Sequence, residues 1–406
     1  MEFKKYKLKD LVKEKTQGVN TTTDEIKYVS SGIKIIQAKN IKKYEYDFDK
    51  ENYITLETYN QMKDNHKLKN GDILFTNIGS QLGNCAIFDS NEKCIITWNV
   101  LKLVPNKLVN NYYLCYYLNY KSDFIRTLNS SSTMPFVSGK TITNIDCRIP
   151  NVEYQNKVVT ILNSLNNKIK VNNQINNNLL KITNEYFENE IFYKNNSNLK
   201  DYKLKDIATI TNGYSYKGSE LVKNSNIGMA TIKNFERKGG FKLDGFKPIS
   251  TNKPKENQYA EKNDILVACT DLTQNAEIIG NAILLLNLKN FEKIVISMDL
   301  VKVQSIKGNL INDYFLYGIL NSKEFKNFAL GYKSGTTVLH LDKKCFEDFE
   351  IKLPNVEKIK EISKIIEINY KKISKIIEEN LVLEQLRDTL LPKLMNGEID
   401  LDKIEI

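Results

Sequence analysis

The sequence predicts an α+β fold, in which two similar domains of mixed strands and helices are each followed by a long helix. Two repeated motifs carry this prediction. Tyr-Lys-Leu-Lys-Asp begins at Tyr6 and again at Tyr202, an offset of 196 (202 minus 6), and Pro-Asn-Val-Glu begins at Pro150 and again at Pro354, an offset of 204 (354 minus 150). A repeat of this length indicates a pair of domains with loops of different length, and not a short-period solenoid.

Composition limits the function classes. The 406 residues include 59 Lys and Arg against 49 Asp and Glu, so the net charge of +10 favours a polyanionic partner. The six cysteines have no C-x-x-C spacing and the two histidines, His66 and His340, are isolated, so no metal site and no disulfide framework is predicted. The N-terminus has no apolar signal region, and no apolar run approaches the roughly 20 residues of a membrane span. We therefore expect a cytoplasmic protein without a membrane partner.

Each copy is predicted to contain strands, then a helical region and a polar loop, because apolar runs, turn residues and helical spacing recur in the same order. In the first copy these are strands at 33–38, 72–76, 95–98 and 101–104, a helix at 111–128 and a loop at 129–133. In the second copy they are strands at 264–268 and 294–303, a helix at 313–329 and a loop at 331–337.

The regions 153–192 and 357–395 have apolar residues at alternating spacings of three and four, which is typical of long helices that pair through a heptad-like stripe. We predict an antiparallel coiled coil with approximate internal twofold symmetry, in which seam asparagines set the register and Pro392 can kink the second helix. The simpler alternative is that each helix packs on its own domain. The predicted interface residues are Leu162, Leu165, Ile169, Leu179, Ile182, Ile362, Ile366, Ile373, Ile376, Leu383 and Leu390.

These predictions divide the chain into four segments. They are a first domain at 1–152, a first helix at 153–197, a second domain at 198–356 and a second helix with the tail at 357–406. Antiparallel helices would place the domains at opposite ends of a rod, and charge introduced at Ile373 and Ile376 would then separate the helices while each domain stays folded.

Four features resemble the DNA specificity subunit of type I restriction-modification systems over essentially the whole chain. They are the layout of two variable segments and two long helical segments, the Asp-Ile-Leu strand followed by Asn77-Ile78-Gly79-Ser80, the Ser/Thr-rich loop before Ile-Pro or Leu-Pro, and the tail from Leu386 to Ile399. The layout and the tail are the specific ones. The resemblance implies two target recognition domains, each reading half of a split double-stranded DNA sequence. It also implies that the helices set the separation of the halves and dock two modification subunits, to which a restriction subunit is added.

The same resemblance implies no catalysis and no cofactor for this chain. S-adenosylmethionine would be bound by the modification subunits, and ATP and Mg by the restriction subunit. The residues agree, because the chain has no Pro-Pro for an adenine-methylation loop, no Gly-rich phosphate cradle and no His-based nucleophile arrangement. Three alternatives stay open: the specificity subunit of a fused (type IIB/IIG-like) enzyme, a two-lobed protein-binding scaffold, and a nuclease with scattered carboxylates.

DNA reading needs polar side chains on loops carried by a rigid frame. In the first copy we predict DNA contacts from Lys39, Asn40, Asn77, Ser80, Gln81, Ser131, Ser132 and Thr133. In the second copy we predict them from Lys233, Asn234, Asp271, Thr273, Gln274, Lys333, Ser334, Thr336, Thr337 and His340. Lys39 and Lys233 are expected on phosphates. For Trp98 and Phe136 the alternatives are stacking on DNA and packing in the core, and core packing is favoured.

The loops differ between the copies, so we expect an asymmetric bipartite target with its halves about 10 base pairs apart, centre to centre. The modification subunits are expected to cover apolar surface at 186–192 and 386–394.

Overall fold

The computed structural model describes residues 2–48, 52–131, 133–194, 199–237, 239–273, 275–306 and 311–401. The chain forms two compact units. The first contains Met1–Ile169 together with Leu383–Ile406, and the second contains Lys170–Val382. Both boundaries cut a long helix, and the division into four segments predicted from the sequence stays a prediction.

The described residues of the first unit form nine strands in three sheets. The strands are β1 (Lys4–Lys7), β2 (Val12–Gln17), β3 (Ile33–Ile36), β4 (Asn52–Ile54), β5 (Ile73–Thr76), β6 (Cys85–Ile87), β7 (Cys94–Ile96), β8 (Val100–Pro105) and β9 (Asp146–Ile149). One sheet has the antiparallel order β2-β8-β5-β6, and a second has the order β4-β3-β7 with β3 and β7 parallel. The third sheet pairs β1 with β9.

The helices of the first unit are α1 (Leu56–Gln61), α2 (Asn111–Tyr120), α3 (Ser122–Thr127) and α4 (Gly139–Thr143), and α5 (Val152–Glu188) starts in this unit. The single helix predicted at 111–128 is therefore two helices, broken at Lys121. The buried faces of α2 and of β5 and β8 form one core, with Tyr113, Phe75 and Leu103 fully buried.

The second unit contains thirteen described strands. They are β10 (Lys200–Lys203), β11 (Ala208–Asn212), β12 (Ile227–Ala230), β13 (Lys247–Pro248), β14 (Tyr259–Ala260), β15 (Ile265–Ala268), β16 (Thr270–Asp271), β17 (Ala282–Leu284), β18 (Lys293–Ile296), β19 (Leu300–Ser305), β20 (Lys333–Ser334), β21 (Leu339–Leu341) and β22 (Glu350–Leu353). The helices are α6 (Leu204–Ile207), α7 (Asp313–Leu320), α8 (Lys323–Leu330), α9 (Lys344–Asp348) and α10 (Val356–Asn396).

The sheets of the second unit repeat the order of the first. The order β11-β19-β15-β17 corresponds to β2-β8-β5-β6, and β10-β22 corresponds to β1-β9. The sheet β13-β12-β18-β14 contains the counterpart of β4-β3-β7 with β14 added, and the second unit also has the sheet β16-β21-β20. The strands β12 and β18 are parallel, as β3 and β7 are. The predicted pair of similar mixed α/β domains is thus confirmed. Three details were wrong: the strand expected at 294–303 is two strands, the helix expected at 313–329 is the two helices α7 and α8, and the loop expected at 331–337 includes β20.

One glycine in each unit is required by the same close approach. A Cβ atom at Gly18 would lie 2.2 Å from the carbonyl oxygen of Thr97, and one at Gly213 would lie 1.9 Å from that of Ser297. The N–H groups of the following residues, Val19 and Tyr214, bond the carbonyls of residues 96 and 296. Because no side chain fits between these segments, the two sheets of each unit meet at a glycine.

Within each unit, α5 and α10 run in opposite directions. In the first unit the Tyr154 hydroxyl lies 3.2 Å from the Leu394 carbonyl oxygen and Arg387 Nη1 donates to Asn166 Oδ1 at 3.0 Å. In the second unit Asn172 Nδ2 donates to Asn380 Oδ1 at 2.8 Å, and Asn369 Nδ2 donates to Thr183 Oγ1 at 3.0 Å. As the residue number increases along α5, the number of its partner on α10 decreases, so the two helices pair in an antiparallel manner. Helix α10 continues through Pro392.

The helices also pack on the domains. The apolar stripes therefore serve both the pairing of the two helices and the packing of the helices on the domains. Side chains at the start of α5 and the end of α10 lie in the core of the first unit, and the start of α10 and the end of α5 lie in that of the second. Ile373 is 1% exposed in the core of the second unit. Because Ile373 lies in that core, we expect a charge there to destabilise the second domain as well, and this replaces the expectation that each domain would stay folded.

One predicted interface residue lies outside the seam. Ile182 is 59% exposed and the neighbouring Thr183 is buried instead. Thr183 donates its hydroxyl to the Leu179 carbonyl oxygen and accepts from Asn369, so its polar group is satisfied in the seam. The other predicted interface residues are buried or partly buried, namely Leu162, Leu165, Ile169, Leu179, Ile362, Ile366, Ile373, Ile376, Leu383 and Leu390.

The apolar surface expected at 186–192 and 386–394 is largely internal. Phe187, Ile191, Leu391 and Leu394 are at most 5% exposed, and each packs in the core of its own unit, so these side chains cannot contact a partner. In the part of the chain that the structure describes, no helix combines the length and apolar character needed to cross a membrane.

Candidate nucleic-acid interface

Four strands of the first domain end at one edge of its sheets, and the polar loops follow them. In the antiparallel sheet Gln17 faces Leu101 and Thr76 faces Val100, so β2 and β5 end beside the start of β8. The parallel strands β3 and β7 end side by side at Ile36 and Ile96. We define the first polar edge as residues 17–20, 37–40, 77–84, 97–99, 129–131 and 133–137.

Hydrogen bonds join the loops of the first polar edge. Gln17 Nε2 donates to Asn77 Oδ1 at 3.1 Å and Asn77 Nδ2 donates to the Val137 carbonyl oxygen at 3.3 Å. The backbone N–H of Gly79 donates to the Pro135 carbonyl oxygen at 2.8 Å. Three chain segments that are distant in sequence therefore form one connected surface.

The structure brings most of the predicted contact residues of the first copy to this edge. Lys39, Ser80 and Thr133 are exposed, and Gln81 and Ser131 are partly exposed. Ser132 lies outside the described residues. These exposed groups supply one ammonium, hydroxyls and a carboxamide, which are the groups that contact phosphates and base edges.

Two predicted contact residues of the first copy are interior. Asn40 is 1% exposed and its Oδ1 accepts the Gln37 N–H at 3.0 Å, at the 3₁₀ helix Ala38–Asn40. Asn77 is fully buried between Gln17 and Val137. The expectation of direct base contacts from Asn40 and Asn77 is corrected here, because buried amides that bond their own loops hold the edge together and do not face a ligand.

The second domain has the equivalent edge. The N–H of Cys269 bonds the Asp299 carbonyl oxygen at 2.8 Å, and the N–H of Leu341 bonds the Cys269 carbonyl oxygen at 2.9 Å. Lys343 Nζ donates to Asn212 Oδ1 at 2.6 Å. We define the second polar edge as residues 212–215, 231–234, 269–273, 275–281, 297–299 and 333–343.

Most predicted contact residues of the second copy are accessible at this edge. Thr273 is partly exposed, and the exposed residues are Lys233, Lys333, Ser334, Thr336, Thr337 and His340. His340 faces Thr270 across the β16–β21 pair, and Phe136 faces Ile78 in the first domain, so His340 and Phe136 are equivalent. Gln274 lies outside the described residues.

Asn234 and Asp271 are interior, and the expectation of base contacts from them is corrected as well. Asn234 Oδ1 accepts the Thr231 N–H at 3.0 Å, and its Nδ2 donates to the Lys242 carbonyl oxygen at 3.0 Å. Asp271 accepts from the Ile278 N–H at 2.6 Å and from Thr273 at 2.8 Å. Burial acts to raise the pKa of Asp271, but these hydrogen bonds outweigh it and hold the pKa below the ordinary value.

A cation from a neighbouring helix anchors the loop of each edge. In the first domain Arg126 Nε donates to the Leu82 carbonyl oxygen at 2.9 Å and Nη2 donates to Asn84 Oδ1 at 3.4 Å. In the second, Lys326 Nζ donates to Asn281 Oδ1 at 2.6 Å and also bonds the Ile279 carbonyl oxygen. Each cation thus binds an asparagine and the carbonyl two residues before it. Burial lowers the pKa of Lys326 to about 8.

Sequence reasoning missed several residues of the two edges. Gln17 and Asn212 precede the required glycines, and aligning Gln17-Gly18 with Asn212-Gly213 across the repeat would have found both. Trp98, expected in the core, is 43% exposed, and the equivalent Met298 is 54% exposed. Within the described ranges, no cluster of three or more His, Cys, Asp or Glu side chains could hold a metal ion.

The fold and the two edges define a class of duplicated binding proteins, in which one frame presents two different sets of polar loops. The family model of the type I restriction modification DNA specificity domain matches residues 1–181 and 196–385. The chain belongs to this family, as the sequence had indicated.

Relatives agree with this assignment. The MjaVIII specificity subunit of a type I restriction enzyme from Methanocaldococcus jannaschii is 25% identical over 357 residues, which cover 81% of this chain and 79% of that protein. The HindI specificity subunit from Haemophilus influenzae is 23% identical over 82% of this chain and 87% of its own length. The crystal structure of a type I S subunit from M. genitalium has a TM-score of 0.56 at 14% identity, covers 97% of this chain and 96% of its own, and supports the fold.

Proposed function

We propose that this chain is the DNA specificity subunit of a type I restriction-modification complex and that its two polar edges read the two halves of an asymmetric target. The observation that supports the proposal most is that the two domains share one fold but have different side chains at equivalent positions of their polar edges. Gln17 corresponds to Asn212 and Phe136 corresponds to His340. Since hydrogen-bonding groups at base edges decide which base is accepted, unlike edges favour unlike half-sites.

The chemistry is assigned to partner proteins in this proposal. Two modification subunits would bind S-adenosylmethionine and methylate the target, and a restriction subunit would use ATP and Mg. The exposed residues Lys39, Lys233 and Lys333 would contact phosphates, and the hydroxyl and amide groups beside them would face base edges. The complex would act in the cytoplasm on double-stranded DNA.

Single-molecule methylome sequencing of cells with and without this gene tests the proposal. We expect methylation at a split motif with two different halves, present only when the gene is present. The spacer should place both halves on one face of the duplex, about 10 base pairs apart centre to centre. A palindromic or continuous motif, or no change on deletion, would contradict the proposal.

An exposed apolar stripe on α5 is our candidate docking surface for a modification subunit. Val171, Ile175 and Ile182 are 48%, 36% and 59% exposed, and spacings of four and seven place them on one helix face. This stripe replaces the segments that the sequence had suggested, which are largely internal. Apolar side chains aligned on a helix surface favour a protein partner over solvent.

Ile175→Asp combined with Ile182→Asp should abolish co-elution with the modification subunit in size-exclusion chromatography, because two carboxylates would be desolvated at the interface. Circular dichroism should stay unchanged, since both side chains face solvent. Leu56→Asp, at an exposed apolar residue of α1, is the matched control and should still co-elute. Normal assembly of the double variant would exclude this surface.

A further inference from the structure

An exposed large apolar side chain occupies the same place in both polar edges. Met134 in the first edge and Leu272 in the second are also exposed, but they are not at equivalent positions. Trp98 lies in the turn between β7 and β8, and Met298 lies in the turn between β18 and β19. Both are about half exposed, although their flanking residues Ile96, Val100 and Ile296 are at most 1% exposed. A duplicated frame has therefore kept an exposed apolar group at this position in both copies while changing its identity.

The turn that carries Trp98 is held by its neighbours. The Trp98 N–H donates to the Val19 carbonyl oxygen at 2.8 Å, and the Trp98 carbonyl oxygen accepts from Gln17 Nε2. The adjacent Asn99 carbonyl oxygen accepts the Asn77 N–H at 3.3 Å. The indole therefore starts from a fixed backbone at the centre of the first polar edge.

The second turn is held by different contacts. The Met298 sulfur lies 3.4 Å from Ser215 Oγ, and the Leu300 N–H donates to the Ser297 carbonyl oxygen at 3.0 Å. Exposed tryptophan and methionine side chains on rigid turns gain free energy when an apolar group covers them.

We propose that Trp98 and Met298 are specificity-determining residues that each contact the 5-methyl group of a thymine in the major groove, Trp98 in one half-site and Met298 in the other. The inference rests on the proposed function. Polar groups such as Gln17 lie around Trp98. The Trp98 side chain would therefore face the same base edges as those polar groups. On the major-groove edges of the four bases, the thymine methyl is the apolar group.

The test uses the full chain assembled with its modification subunits, and duplexes carrying the methylated motif. Each thymine of the first half-site is replaced singly by uracil, which removes only the methyl group. For the wild-type complex one replacement should weaken binding about fourfold, the ratio expected for one buried methyl group. The Trp98→Ala complex should bind the intact duplex more weakly and should no longer respond to that replacement.

Two controls distinguish a direct contact between Trp98 and a thymine from a purely structural role of Trp98. Met298→Ala should leave the effect of uracil in the first half-site unchanged. In the second half-site it should abolish the effect of one thymine-to-uracil replacement. A purely structural Trp98 would weaken Trp98→Ala binding to every duplex while the uracil response persisted, and that result would overturn the inference. So would a first half-site without a T·A pair.

The failure of the inference is distinguishable from that of the proposed function. If the wild-type complex binds no duplex in a sequence-dependent way, the proposed function fails. If it binds its motif specifically and Trp98→Ala behaves as wild type, only the thymine contact fails. Since Trp98 is the one tryptophan in the chain, labelling this subunit with 5-hydroxytryptophan adds a direct readout, and its emission should change only with an intact first half-site.

Discussion

Arg126 and Lys326 occupy equivalent places but differ in one physical property. Both donate to a loop carbonyl and to an asparagine, so each fixes the loop of one edge. A guanidinium stays charged at any working pH, whereas an ammonium that is buried among carbonyl oxygens loses its proton more easily. The second edge therefore has a pH-sensitive anchor and the first does not.

Above neutral pH, the free energy of unfolding should depend on the protonation of Lys326. The pKa of Lys326 in the folded chain is about 8, below its ordinary value of 10.5. Between these values the unfolded chain holds a proton that the folded chain has released, so this residue's contribution to the free energy of unfolding increases with pH in that window. Below about pH 8 both states are protonated and the cost of burying the charge is fully present.

Urea titrations of the wild type and of Lys326→Met at pH values from 7 to 10.5 measure this contribution. We expect the wild type to gain stability relative to Lys326→Met as pH rises through the window. Lys326→Arg, which cannot release its proton, should show no such gain. Parallel curves for wild type and Lys326→Met would contradict the assigned titration.

At the scale of secondary structure, the long helices and the positions of some strands were predictable because they depend on local pattern. The regions expected at 153–192 and 357–395 agree with α5 and α10, and each of the six strands expected from the sequence begins within one residue of an observed strand. Other strands, among them β1, β2 and β6, were not expected, and neither was the order of the strands in the sheets. The exception in the seam, Ile182, arose from a preference for an apolar residue over Thr183. Strict spacing from Leu179 favours position 183, where a satisfied hydroxyl is tolerated.

The candidate site was less predictable than the frame. Polarity correctly indicated which loops form the edges, but Asn40, Asn77, Asn234 and Asp271 are polar and buried because they bond backbone groups of the same loops. Trp98 shows the opposite case, an apolar residue that tertiary structure leaves exposed. Exposure depends on which segments pack together, and that information is not local to the sequence.

The asparagine pair between α5 and α10 of the second unit gives an element-scale prediction. Asn172 is 1% exposed and donates to Asn380 Oδ1 at 2.8 Å, and Asn380 donates to Asn173 Oδ1 at 2.9 Å. Either single change to leucine should cost about 1–3 kcal/mol, because it removes one hydrogen-bond partner from a buried amide. Asn380 would keep its bond to Asn173, and Asn172 would keep its bond to Glu379 Oε2 at 2.8 Å. The double change should cost less than the sum of the two.

A double-mutant cycle in urea measures that coupling. We expect a coupling of roughly 0.5–3 kcal/mol in the direction that spares the double variant. Ile376→Leu, at a partly buried apolar position of the same helix, is a control that preserves hydrogen bonding. Additive effects of the two leucines would show that the asparagines act independently.

At the scale of the whole molecule, the first unit is built from both ends of the chain. Four side chains from its C-terminal segment are at most 5% exposed in the core that also contains Phe75 and Tyr113, namely Leu391, Leu394, Met395 and Leu401. The Tyr154 hydroxyl also donates to the Leu394 carbonyl oxygen. The N-terminal recognition domain therefore depends on residues that follow the second domain in the sequence.

Deleting residues 383–406 should consequently damage the first domain and spare the second. Burial of each large apolar side chain contributes roughly 1.5–3 kcal/mol, so the four together contribute about 6–12 kcal/mol. That is comparable with the roughly 5–15 kcal/mol that stabilises a typical domain. Hydrogen exchange followed by mass spectrometry should show lost protection in β5 and β8, with protection retained in β15 and β19.

Deleting only 402–406 is the matched control, because all four core side chains remain. Wild-type protection of β5 and β8 in the longer deletion would mean that the first domain folds without its C-terminal segment.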